Sequence, residues 1–269
     1  MRFAIINGER VEAAPQLIGF CPGCNLPVIA RCGTQRIHHW AHRNNLSCDS
    51  WWEPETEWHR LWKSNFPDEW QEIILRDEMT GERHIADIRT GHGLVIEFQH
   101  SHITPQERIS RESFYKNMVW LVDGTRLKRE HQRFLSDKDY FFQMSYGSFL
   151  VGSPQRSLPT AWLSSPIPVI FDYRSNKSGY GSADVENYVY CLFPVRIGTS
   201  ALLEKISIKA FVDDAINGAS TLRIRSFMRD KNQFVRELQH QITMLQKFQA
   251  RSASANFSRP ATYKKRGRF

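Results

Sequence analysis

Residues 83–101 read RHIADIRTGHGLVIEFQHS, two apolar-rich runs on either side of a Gly-His-Gly turn at 91–93. Such runs around a tight glycine turn predict two paired strands. Successive strand side chains point to opposite faces, so Val95, Glu97 and Gln99 share one face and Leu94, Ile96 and Phe98 the other. Asp87 stands in the first run, within Ile85-Ala-Asp-Ile88, and the short turn brings it beside Glu97 on the neighbouring strand. A carboxylate in so apolar a strand is costly unless paired, protonated or bound to a metal. Two of them suit Mg²⁺ or Mn²⁺, an ion that keeps waters and binds phosphate. The plainer alternative is a pair of acids bridged to Arg83, His84 or Arg89.

Outward from this pair, EIIL (72–75) predicts a preceding strand. Before it, Pro54 suits the first turn of a helix running to about Phe66, where its missing N–H is no loss. Trp58, Leu61, Trp62 and Phe66 form the apolar arc of that helix. Glu55, His59 and Lys63 follow at i, i+4 and i+8 along the margin of the arc, from which Glu55 and His59 face the acidic pair, whereas Glu57 points to solvent. A surface charge ladder is the alternative reading of the three. After the strand pair, Thr104-Pro-Gln-Glu107 has the form of a capping box with proline at N1, opening a helix to about Asn117. Arg108, Arg111 and Tyr115 share one face of it, where they can grip a nucleic-acid backbone or simply form a solvated surface. MVWLV (118–122) is a continuous apolar run, as a strand buried on both faces requires. The order is helix, three strands, helix, strand.

Four of the five cysteines, Cys21, Cys24, Cys32 and Cys48, lie in the first 50 residues, and Cys191 is alone in an apolar strand. Cys21-Pro-Gly-Cys24 is a turn whose two thiolates can meet one ion, and His38, His39, His42 and Cys48 follow. The expected Zn²⁺ ligands are Cys21, Cys24, Cys48 and His42, with His39 the alternate and Cys32 a packed thiol. The role expected of the ion is structural, because so small a module holds few large apolar residues.

The chain has 269 residues and a formal net charge of +8. Six of its 36 Lys and Arg lie after residue 250 with no acid among them, so the rest is nearly neutral. That basic tail, including Lys264, Lys265 and Arg266, is read as disordered and suited to a polyanion. No apolar run nears the roughly 20 residues of a membrane helix. The opening MRFAIINGERVEA lacks the form of a signal peptide, so a cytoplasmic protein is expected. Residues 152–168 read as a Ser/Pro-rich linker. PVIFDY, NYVYCLFPVRI and KISIKAFV beyond it read as strands, and 226–250 as a helix. Val235, Leu238, Ile242 and Leu245 recur in that helix at core spacing; a homodimer helix pair is the alternative.

These elements together resemble the competence protein CoiA-like family: Cys21-Pro-Gly-Cys24, His39-Trp-Ala-His42 and Cys48, then ETEWH…K (55–63), ADI (86–88), IEFQHSHI (96–103) and Arg111…Tyr115. The resemblance covers roughly residues 20–123 and implies a nuclease domain of the PD-(D/E)XK superfamily behind a zinc-finger-like module. Asp87 and Glu97 would then be the metal-binding acids and Glu55 the first-helix acid. Gln99 stands where the superfamily usually has lysine, with Lys63 or Lys116 as substitutes for that cation. The expected fold is α/β: a restriction-endonuclease-like αβββαβ core with a small N-terminal zinc-binding module and an α+β C-terminal region. The divisions expected are 1–50, 51–150, 151–250 and the tail 251–269. The expected function is divalent-metal-dependent DNA endonuclease activity on incoming or recombining DNA, branched or single-stranded forms included, or in defence. The rival is a DNA-binding scaffold that keeps the fold without cutting.

Overall fold

The structure is a computed structural model and describes residues 1–43, 48–145, 147–174, 187–219 and 222–257. The N-terminal segment forms an antiparallel sheet of β1 (Phe3–Ile6), β2 (Glu9–Glu12), β3 (Ile18–Phe20), β4 (Pro27–Arg31) and β5 (His39–His42), ordered β2-β1-β3-β4-β5. Met1, Ala4, Ala13, Cys21, Val28 and Trp40 fill its small core. The sequence shows little periodicity here, because strands of three to five residues with mixed polarity carry too little alternation to register.

The middle segment follows the expected order: α1 (Glu57–Lys63), β6 (Gln71–Arg76), β7 (Arg83–Arg89), β8 (Val95–Gln99), α2 (Pro105–Tyr115) and β9 (Met118–Asp123). Strands β6, β7 and β8 form an antiparallel meander, and β9 returns parallel to β8 after the α2 crossover. Thr104 caps α2 by accepting from the Glu107 N–H, with Pro105 in the first turn. Helix α1 is shorter than the sequence suggested. Thr56 caps it in a reciprocal box with His59, so Glu55 precedes the helix rather than riding on it.

The remaining elements are α3 (Lys128–Asp137), β10 (Phe142–Ser145), β11 (Ser148–Val151), α4 (Pro154–Ser157), β12 (Val169–Asp172), β13 (Tyr188–Ile197), β14 (Ser200–Ser207), α5 (Ile208–Asn217), α6 (Leu222–Arg229) and α7 (Lys231–Phe257). They join the same sheet, whose strands run β10-β11-β14-β13-β12-β9-β8-β7-β6. The boundary expected at residue 150 therefore falls within one continuous sheet, closed by the parallel pairing of β12 with β9. Residues 152–168 are not a linker either: Leu158, Trp162 and Ile167 are buried in the core despite the Ser/Pro composition. KISIKAFV divides at Ser207, whose side chain caps α5. Helix α7 runs into the stretch read as a disordered tail, and residues 258–269, with Lys264, Lys265 and Arg266, lie outside the described residues.

Strands β8, β9 and β12 are mutually parallel and buried on both faces, which is why MVWLV shows no alternation. One face packs Ile96, Phe98, Val119, Leu121 and Ile170 against α1 and the C-terminal helices. The other packs Val95, Trp120, Val122, Val169 and Phe171 against Tyr115, Phe134 and Trp162. Leu238 and Ile242 of α7 are buried in the first of these cores and Val235 and Leu245 pack on it, so the row read at core spacing serves the interior. Among the described residues, no helix is long and apolar enough to cross a membrane.

Helix α1 is seated by two indoles. Trp62 and Trp58 donate their Nε1–H to one oxygen of the buried Asp172, at 2.8 and 3.0 Å. Leu61, expected in the apolar arc, is instead 56% exposed. Trp62→Ala removes a fully buried side chain and one donor to a buried carboxylate. It is expected to cost about 3–5 kcal/mol, read as a lower midpoint in urea unfolding.

Candidate functional site

Across β7 and β8 the register pairs Ile88 with Ile96 and Arg89 with Val95. Its continuation sets Asp87 opposite Glu97. There the backbone pairing gives way to carboxylates: the Asp87 N–H donates to Glu97 Oε1 at 3.1 Å, and the Phe98 N–H to Asp87 Oδ2 at 3.0 Å. The two acids are thus fixed by the strands themselves, and both line a pocket with Glu53, Glu55, His59, Lys63, Glu72 and Arg111, together with Asp49, Trp51 and Trp52. Six carboxyl groups surround it against the permanent cations Lys63 and Arg111.

The cations are placed on the acids. Lys63, at the last turn of α1, is buried with Nζ 3.0 Å from Asp87 Oδ1, 3.2 Å from Glu72 Oε1 and 3.4 Å from Glu55 Oε1. Burial alone would favour the neutral amine, but the charges of Asp87, Glu72 and Glu55 outweigh it and raise the pKa, so Lys63 stays an ammonium. Arg111 donates to Glu97 Oε2 at 3.2 Å, to the Trp51 carbonyl at 2.7 Å and to Glu107. Glu97 still titrates high, at about 8, because burial and the Asp87 charge exceed the help from Arg111. For Glu72 the balance is opposite. Burial would raise it, but Lys63, the terminal ammonium and the N–H groups of Arg2 and Phe3 hold it down at about 2.

Gln99 is buried and donates to Glu53 and, at 3.3 Å, to the Ser101 carbonyl, which orients Glu53 in the pocket. Its Oε1 and Glu53 Oε2 are buried with no hydrogen-bond partner, two acceptors aimed at nothing the chain supplies. His59 is spent on structure: it joins Thr56 at the cap and Phe98 O at 3.3 Å, and burial lowers its pKa. Lys116 is exposed at the end of α2 and is absent from the pocket lining, so Lys63 is the lysine that reaches Asp87.

The α2 face expected to grip a nucleic-acid backbone is turned inward. Arg108, Arg111 and Tyr115 are all buried, and Arg108 pairs with Glu112 at 3.0 Å. Charged residues at that spacing read equally as surface or interior. The apolar side of β8 and β9 that would draw the helix face inward is seen only in the fold. Sequence reasoning also missed Glu53, Glu72 and Trp52. Trp52 is 46% exposed beside the pocket, held by the turn in which its N–H meets the Asp49 carbonyl at 3.3 Å. The Trp51-Trp52-Glu53 run just ahead of the first helix was the available signal.

A second cluster lies in the N-terminal sheet. The ligand atoms of Cys21, Cys24, His42 and Cys48 all lie within 4.8 Å of one another. Cys21 and Cys48 sulfurs are 3.6 Å apart, and Cys24 Sγ is 3.2 Å from His42 Nε2. His39 and His42 are three apart on β5 and so face opposite ways; His39 bonds the Ile37 carbonyl at 2.9 Å. Cys32 stands outside the cluster. Without a cation, burial pushes the Cys21 and Cys48 thiols up, aided by the charge of their neighbours. The donor set suits a structural metal such as zinc, whose charge would keep the thiolates ionised.

Two comparisons with known proteins agree. Residues 18–50 match the family described as Competence protein CoiA, N-terminal domain. The chain is similar to Competence protein CoiA of Bacillus subtilis (strain 168), 28% identical over 168 residues, which is 58% of this chain and 43% of that protein. The chain thus spans less than half the length of this relative. No solved structure matches the chain. Both matches support the CoiA-like resemblance.

Two outcomes are expected. Metal analysis of the purified protein should find about one tightly held ion per chain, lost in Cys24→Ser together with thermal stability. The second concerns pH. A carboxyl that titrates higher in the fold than in the unfolded chain binds a proton on folding, so its contribution falls as pH rises from its ordinary 4.5 toward 8. Glu97→Gln should therefore flatten the decline of urea-unfolding stability between about pH 5 and pH 8 in Mg²⁺- and Mn²⁺-free buffer.

Proposed function

With CoiA-like competence proteins as its relatives, we propose that this chain is a divalent-metal-dependent DNA endonuclease that processes DNA during uptake or recombination. The observation that carries the reading is Asp87 opposite Glu97 with the Lys63 ammonium 3.0 Å from Asp87, in a pocket of excess carboxylate. The helix, three-strand meander, helix and parallel strand follow the order expected of a restriction-endonuclease-like core. Asp87 and Glu97 would hold Mg²⁺ or Mn²⁺, and the unpartnered oxygens of Glu53 and Gln99 and the net negative charge suit such an ion. When bound, the ion would activate water and neutralise charge on the scissile phosphate.

The chain's own groups divide the rest. Lys63, kept protonated by its three acids, serves as a fixed positive charge for the phosphate and not as a proton acceptor. It thereby supplies from α1 the cation that Gln99 lacks. Gln99 orients Glu53, and Arg111 anchors Glu97. Zinc is the ion proposed for the Cys21–Cys24–His42–Cys48 cluster, holding the N-terminal sheet.

One observation favours the scaffold reading: Lys63 and Arg111 pair with Asp87 and Glu97. The two readings separate on labelled linear, single-stranded and branched DNA with Mg²⁺, Mn²⁺ or chelator. Cutting is expected with Mg²⁺ or Mn²⁺ and abolished by Asp87→Ala and by Glu97→Ala. Lys63→Met should lower the rate on the order of a hundredfold, the usual loss of one transition-state charge partner. DNA binding without cutting under either metal would establish the scaffold instead.

A further inference from the structure

Glu72 is the second residue of β6 and has φ of +49°, a conformation that residues other than glycine rarely adopt. The strained turn of backbone has a visible product. It leaves a buried carboxylate with one oxygen 3.2 Å from Lys63 Nζ and both oxygens on the N-terminal sheet. The Arg2 N–H donates to Glu72 Oε1 and Oε2 at 2.7 and 2.9 Å, and the Phe3 N–H to Oε2 at 3.2 Å. These are the backbone groups at the start of β1, the strand whose neighbours lead to the cysteine-bearing turn and to His42. Arg2 adds a side-chain bond to Gln71 at 2.6 Å, so the docking is directed at this one point of β6. Lys63 is then held from two sides: by Asp87 in the site and by Glu72 at the docked sheet.

We propose that Glu72 is a positioning residue through which docking of the N-terminal sheet holds Lys63 against Asp87. Its consequence for cleavage rests on the reading of Lys63 given above; the linkage itself does not. An N-terminal module of this kind is more than an accessory for binding: undocking it would free the ammonium that the site relies on. The linkage is reciprocal, as any coupling of two equilibria must be. Loosening Lys63 should loosen β1, and loosening β1 should loosen Lys63.

The test reads Lys63 directly by amine-acylation footprinting with mass spectrometry on the full chain, with the exposed Lys209 as internal reference. In Glu72→Gln, Lys63 should react about tenfold faster relative to Lys209, the effect of losing one buried charge-assisted hydrogen bond. Reaction at the parent rate overturns the proposal. If Glu72→Gln does not fold, Lys63→Met tests the reverse direction: hydrogen exchange of the peptide spanning residues 1–4 should quicken about tenfold. Unchanged protection there overturns it equally. On DNA, Glu72→Gln should lower kcat about tenfold with KM within about twofold, a split that loss of binding would not give. Unaltered kcat in an active background overturns the role of Lys63 in cleavage, whereas the linkage is overturned by the unchanged Lys63 footprint. A parent inert on DNA whose Lys63 still responds to Glu72→Gln would count against the nuclease and leave the linkage standing.

Discussion

Glu55, Glu72 and Asp87 converge on the Lys63 ammonium from three different parts of the chain: the segment ahead of α1, the edge strand β6 and the inner strand β7. A buried cation survives here because three carboxylates lie within 3.4 Å of it and each carboxylate has further donors of its own. Asp87 is tied to the Phe98 N–H, Glu72 to Arg2 and Phe3, and Glu55 to Arg60 at 3.0 Å. Remove the ammonium and three acids face one another in the pocket. The helix, the sheet edge and the N-terminal module therefore share one electrostatic solution, and none of them can shift without changing it for the others.

The charges left over after that pairing define what the pocket can accept. Arg111 answers Glu97 but cannot bring its titration back to an ordinary carboxylate range. Glu53 is held by Gln99 with one oxygen still unmatched. In the reading proposed above, a hard dication would meet both shortages at once.

The sequence disclosed the parts of this arrangement that depend on local periodicity. Alternation around the Gly-His-Gly turn set Asp87 beside Glu97, and Cys-Pro-Gly-Cys with His42 and Cys48 marked the cluster that could hold a metal. Thr104 and Pro105 opened α2, although the reciprocal half of the expected box is replaced by a Glu107–Arg111 pair. It hid what depends on tertiary direction. Arg108 and Arg111 carry the pattern of a wet surface and are interior, because β8 and β9 offer α2 an apolar floor with acids at its margin. Glu72 reads as an unremarkable acid at a strand edge; its role needs a positive φ and the docking of residues more than sixty positions earlier. The single nine-stranded sheet was likewise invisible, since the β9–β12 pairing spans a stretch whose proline and serine content suggests a tether.

The terminal position of β6 in the large sheet has one more implication. An outermost strand presents unpaired backbone groups to anything that approaches, and Ile73, Ile74 and Leu75 make this one attractive to another chain. Here the N-terminal sheet occupies its start: Arg10 reaches the Gln71 carbonyl at 2.7 Å and the Asp68 carbonyl at 2.9 Å, and Arg2 engages Glu72. The same contacts that steady the pocket thus also guard an aggregation-prone border. A form of the protein that lost its N-terminal module would expose that border and become sticky, through strand-to-strand self-association rather than through any fault in the remaining core.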